Sequence, residues 1–153
     1  MAKLKIVKEG DEILRKRSRE VTEITPKILT LLDDMAETMR LADGCGFAAV
    51  QVGILRRIVV IEVEQGKLIE LINPKIIAFS GEQDDYEGCL SVPDRQGKVK
   101  RPMYVTVRGM NRHGETVEIN GSELLARAIC HELDHLDGKL FIDRATELAY
   151  RKR

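Results

Sequence analysis

Residues 122–138 constrain this chain most. Leu124, Leu125, Ala126, Ala128, Ile129, Cys130, Leu133 and Leu136 fall in this stretch, and few polar positions are left between them. Ser122 suits an N-cap, Glu123 a first turn and Gly138 a C-cap glycine, so the segment is predicted to be a helix. A helix apolar on nearly all sides has to be covered on nearly all sides, which makes it the centre of the fold. Leu124, Ala128, His131 and His135 follow helical spacing, so the two histidines continue an inward stripe.

That helix contains His131-Glu132-Leu133-Asp134-His135. Positions i and i+4 stand one above the other on a helix, so two imidazoles there can share one metal ion, with the intervening Glu in reach of a metal-bound water. A catalytic zinc-type site usually takes three protein ligands and keeps one position open. The metzincin continuation fits at Gly138 but fails at Phe141, where its third His would stand. A thermolysin-like third ligand has only Glu147 to draw on, near the chain end. The remaining candidates are His113, Cys45, Cys89 and Cys130. Cys130 points about 100° away from His131 around the helix. His113 falls in Asn111-Arg112-His113-Gly114, which reads as an exposed hairpin turn. Cys45 and Cys89, both in glycine-containing segments, are left.

At 153 residues the chain reads as one catalytic domain, residues 1–153, with a short basic tail at Tyr150-Arg151-Lys152-Arg153. Lys+Arg and Asp+Glu both number 25, so no global field points to a specific nucleic acid. No segment approaches membrane-span length, and Met1-Ala2-Lys3-Leu4-Lys5 lacks the apolar run of a signal peptide. With no export signal, three cysteines without disulfide rhythm indicate the reducing cytoplasm.

Along the chain, Lys3 to Lys8 alternates like a short strand, and Glu12 to Ser18 suits one helical turn. Thr25-Pro26 starts a helix whose Ile28, Leu31, Leu32, Met35 and Met39 form a core stripe. Gly44 and Gly46, one residue apart, let the backbone approach something closely, and Gln51 is a lone amide in a small apolar run. Arg56–Val63 and Lys67–Ile72 read as a hairpin; Asn73-Pro74 breaks it, and Lys75–Phe79 is a further strand. Met103–Gly109 and Glu115–Ile119 form a second hairpin, and Leu140-Phe141-Ile142 a short strand. The fold class is α+β: antiparallel β-sheets packed around the buried central helix that carries His-Glu-x-x-His, plus an N-terminal amphipathic helix.

Three segments, Gly44-Cys45-Gly46-Phe47-Ala48-Ala49-Val50-Gln51, Glu87-Gly88-Cys89-Leu90-Ser91 and His131-Glu132-Leu133-Asp134-His135, resemble in order the three signature motifs of the peptide deformylases. The resemblance runs over nearly the whole chain. It implies that Cys89, His131 and His135 bind one divalent metal, typically Fe(II), with Zn, Ni or Co as substitutes. It implies Glu132 as general acid/base and Gln51 with the backbone N–H of Leu90 as the oxyanion site. The backbone near Gly46 and Gly88 would hold the substrate as an added strand. The implied reaction removes the formyl group from N-formylmethionyl peptides at the start of new polypeptides.

Phe47 stands where that family usually has Leu, and Cys45 where it has an aliphatic residue. Phe47, Leu124 and Ala128 with Cys45 are the expected walls of the methionine pocket. Transient ribosome contact belongs to the same resemblance, but many relatives owe it to a longer C-terminal helix than this chain has. Two other readings use the same central helix. A metalloprotease leaves Gln51 and Gly88-Cys89-Leu90 without a role, and a closed structural zinc site requires a fourth ligand such as Cys45.

Overall fold

The computed structural model describes residues 3–150. Helix α1 spans Pro26–Leu41, and Thr25 caps it by accepting from the Ile28 N–H. Strands β1 (Gly46–Ala48), β2 (Ile58–Ile61), β3 (Ile69–Ser80), β6 (Tyr104–Met110) and β7 (Thr116–Ser122) form one antiparallel sheet in the order β1-β2-β3-β6-β7. Strands β4 (Gln83–Cys89), β5 (Val92–Arg101) and β8 (Glu147–Tyr150) form a second, in the order β4-β5-β8. Helix α2, Leu124–Leu136, carries the His-Glu-x-x-His motif and packs against strands of both sheets.

Period-2 alternation puts the larger sheet between the two helices. On β2, Val59 and Ile61 enter the core around α2, whereas Ile58 and Val60 enter the core under α1. On β1, Ala48 faces α2 and Phe47 faces α1. All four residues of β2 are buried as a result.

The structure departs from the sequence expectations in four places. Residues 3–8 do not join a sheet; isolated bonds such as Val7 N–H to Gln51 O (2.7 Å) and Glu9 N–H to Ser91 O (2.7 Å) pin that segment. Asn73-Pro74 does not end β3, because the register shifts between Ile72 and Lys75 and the ladder never asks Pro74 for an N–H. Asn73, at φ +53°, is stapled across by its side chain to both the N–H and the C=O of Val21. Leu140–Ile142 is not a strand: Phe141–Asp143 forms a 3₁₀ turn, and the late strand is β8. Ser122 does not cap α2 but ends β7. The corner is Glu123 (φ +55°), held by its N–H to Met103 O and by Gln83 Nε2 to its carbonyl, so tertiary bonds replace a side-chain cap. Gly138, at φ +75°, does close the helix, and a Cβ there would strike the backbone of Arg15. The basic tail from residue 151 lies outside the described residues.

Candidate active site

Cys89 ends β4, and His131 and His135 lie one turn apart on α2. Their ligand atoms all fall within 4.8 Å of one another, and all three residues are buried. Cys89 Sγ is 3.3 Å from His135 Nε2. No other group of three His, Cys, Asp or Glu among the described residues is arranged this way. Cys45 is exposed and outside the cluster, His113 is exposed at its hairpin turn, and Cys130 lies on another face of α2.

Glu87, two residues before Cys89, shares the inward face of β4. Its Oε1 lies 2.8 Å from His131 Nδ1 and 2.6 Å from Arg101 Nη2, and its Oε2 lies 2.7 Å from Arg127 Nη1. Burial alone would raise the Glu87 carboxyl; hydrogen bonds from His131 and Arg101 outweigh burial and hold it at about 2. An ionised carboxylate only accepts, so the proton of His131 sits on Nδ1 and its Nε2 lone pair is left for a ligand. Arg101 also donates to Asp134 Oδ2 (2.8 Å), tying β5 to α2. Phe141 stacks on the His131 ring with centroids 6.0 Å apart.

Glu132 is 3% exposed, and its Oε1 has no hydrogen-bond partner. Burial pushes its carboxyl up to about 7. Burial and the neighbouring His131 hold His135 well below the usual imidazole range, so it is neutral, as ligation requires. Burial lowers His131, but Glu132, Cys89 and Glu87 outweigh it and raise it above the usual imidazole range, so without a metal a proton occupies the Nε2 position that a metal would take. A thiol, two imidazoles with one lone pair each and an unpaired carboxylate converge at one buried point. That donor set fits a divalent cation with borderline-soft preference.

Cys89, His131 and Glu132 line a cavity of about 490 Å³. One wall is the segment 42–46 running into β1, the other is β4 and its turn at Leu90, and α2 supplies Leu124, Arg127, Ala128 and His131. β1 and β4 are edge strands of their respective sheets. A Cβ at Gly46 would collide with the Glu132 carboxylate, and one at Gly44 would come within 2.7 Å of Leu90 Cδ1. The two glycines therefore bring the β1 segment against Leu90 and Glu132, a close approach of the kind their spacing suggested.

Residues 3–151 match the family model described as Polypeptide deformylase. The chain belongs to the peptide deformylase family. Peptide deformylase 1 of Clostridium acetobutylicum is 56% identical over 147 residues, covering 96% of this chain and 97% of that one. The peptide deformylase of Carboxydothermus hydrogenoformans is 50% identical and aligns over the full length of both chains. A crystal structure of a peptide deformylase from Legionella pneumophila superposes with a TM-score of 0.92 at 41% identity, covering 95% of this chain and 87% of that one. The protein is accordingly a hydrolase that removes the formyl group from N-formylmethionyl peptides. The family is metal-dependent, and Cys89, His131 and His135 are its potential metal site here.

Within this deformylase the structure brings together Cys45, Gly46, Gly88, Cys89, Leu90, His131 and Glu132 around one cavity. Phe47 is a correction: it is fully buried under α1 and does not line the cavity, because strand alternation turns it away from Gly46 and Ala48. Leu124 does line the cavity, but it is 52% exposed at the mouth and does not extend the buried stripe. Gln51 is 1% exposed and already partnered: Oε1 accepts from Ala48 N–H (2.9 Å), and Nε2 donates to Ser91 Oγ (3.1 Å) and toward Cys89 Sγ (3.6 Å). Sequence reasoning missed the roles of Glu87, Arg101 and Arg127. Arg127 stands four residues before His131 and Glu87 two before Cys89, so helix and strand periodicity together could have paired them.

Proposed function

We propose that Cys89, His131 and His135 hold one divalent metal, Fe(II) in the cell with Zn, Ni or Co able to replace it, and that Glu132 moves the proton. The observation carrying this is the convergence of three buried donor atoms on one point beside an unpaired carboxylate. A metal there supplies Lewis acidity, acidifying water and polarising a carbonyl. The thiolate softens the centre toward iron and makes it sensitive to oxidation.

The peptide enters extended between the edges of β1 and β4, pairing with backbone near Gly46 and Gly88 as an added strand. Its methionine side chain lies against Cys45, Leu124 and Ala128. Glu132 takes a proton from the attacking water, whose oxygen adds to the formyl carbon. Negative charge grows on the carbonyl oxygen, and the Leu90 N–H and the Gln51 amide donate to it. The long Gln51 contact to Cys89 sulfur is the bond the amide gives up for this. Glu132 then passes its proton to the amine nitrogen, the C–N bond breaks, and formate and a free amino terminus leave.

The protein works in the cytoplasm, with transient ribosome contact, on chains still being made. Three free cysteines fit that reducing compartment, and among the described residues no helix is long and apolar enough to cross a membrane.

Formate release from a formyl-Met-Ala-Ser peptide tests this reading. Anaerobically purified protein stripped by chelator is reloaded with Fe(II), Ni(II) or Zn(II), with the acetyl-Met analogue alongside. Turnover is expected to return with metal, highest with Fe(II) or Ni(II), and the acetyl peptide to stay intact. Full activity in the stripped protein would sink the assignment. A Gly46→Ala variant is expected to bind metal normally yet lose activity by roughly 10²-fold, because its methyl displaces the Glu132 carboxylate. Metal content measured beside kcat checks this.

A further inference from the structure

A second concentration of charged side chains lies on a different face of α2. Two adjoining recesses of about 620 and 440 Å³ share Arg57, Pro74, Lys75 and Asp137. Neither shares a residue with the substrate cavity. Arg17 and Lys139 line the first, Lys100 and Arg144 the second. In a chain with no net charge, this is a local surplus.

The acids there do not cancel it. Asp137 is engaged by Arg57 at 3.1 Å, and Asp134 by Arg101 and Arg144. Among the described residues the exposed Arg17, Lys75 and Lys139 make no ion pair, and Lys100 reaches Glu82 only at 3.8 Å. Glu20 alone remains as an unpaired acid of the lining. Phe79 lines the same recess as Lys75 and Lys100 and is 72% exposed, so packing of the fold does not account for it.

We infer that this face binds single-stranded RNA, with an unpaired base stacked on Phe79 and phosphates held by Arg17, Lys75 and Lys139. Cations tracking a backbone beside an exposed aromatic platform are what single-strand binding requires. An anionic bilayer also attracts lysines, but it is held by an apolar face pushed into the lipid, not by cations lining recesses. Because the substrate cavity shares no residue with this face, the enzyme stays open to substrate while attached.

Fluorescence anisotropy of the metal-loaded protein with a labelled oligouridine tests this. Saturable binding is expected at low salt. Each phosphate contact contributes about −0.7 to the slope of log K against log salt, so three contacts give roughly −2. Lys75→Glu with Lys139→Glu should weaken binding by about tenfold or more and flatten that slope. Phe79→Ala should weaken it by about fivefold or more at an unchanged slope. Both variants should keep formate release, which shows that they are folded. Absence of saturable binding, or indifference to either variant, would overturn the inference. So would hairpin duplex RNA binding as tightly as oligouridine, full competition by uridine monophosphate at equal concentration, or capture by phosphatidylglycerol vesicles without RNA binding.

Discussion

A Glu132→Gln variant is expected to keep its metal and its fold and to release formate roughly 10²–10⁴-fold more slowly. Gln fills the same space, and the Oε1 of Glu132 has no partner to lose. It cannot accept the water proton or return it to the amine. The same substitution should change stability with a defined sign. Burial raises the Glu132 carboxyl from 4.5 to about 7, so the metal-free folded state prefers it protonated. Its contribution is fully present below about pH 4.5 and is lost as pH rises through about 7. Metal-free Glu132→Gln should therefore be more stable than the parent at pH 8, by on the order of 1–3 kcal/mol, and equal to it near pH 4. Formate release, metal content and denaturant unfolding at the two pH values check this. Activity within tenfold of the parent would remove Glu132 from the reaction.

Much of this site was legible in the sequence because it rests on local periodicity. Helical spacing placed His131, Glu132 and His135, and the paired glycines announced a close backbone approach, whose partners, Glu132 and Leu90, only the structure names. Thr25-Pro26 and the Asn111–Gly114 turn fixed α1 and the β6–β7 hairpin for the same reason. What was illegible depends on tertiary partners. Cys45 stands just before β1 and Phe47 within it, and only the two-sided burial of the sheet decides that Phe47 serves α1. Strand β5 is rich in charge and carries few apolar residues, so no alternation marked it. Its Arg101 acquires meaning only when the chain brings it against Glu87 and Asp134.

The same distinction explains why the largest structural effect is expected at a residue that binds neither metal nor substrate. Glu87 joins β4, β5 and α2 by accepting from Arg101, Arg127 and His131. Glu87→Ala leaves the buried Arg127 without a carboxylate and Arg101 with Asp134 alone, and breaking such a buried pair typically costs about 3–5 kcal/mol. It also frees the His131 ring to rotate and to change tautomer, and loss of such an outer partner typically lowers metal affinity by about 10–100-fold. The acid limb should carry the opposite sign to that of Glu132. With its carboxyl held at about 2, Glu87 contributes stability that is present above about pH 4.5 and is lost as pH falls toward 2, and this limb should be missing in Glu87→Ala. Glu87→Gln restores the shape and one acceptor without the charge. It should recover part of the metal affinity and none of the acid limb. Unfolding of the metal-free protein across acid pH and chelator competition of the loaded protein separate the two effects. Unchanged metal affinity in Glu87→Ala would mean that α2 alone orients His131, and the carboxylate would then serve only to hold the two arginines inside the fold.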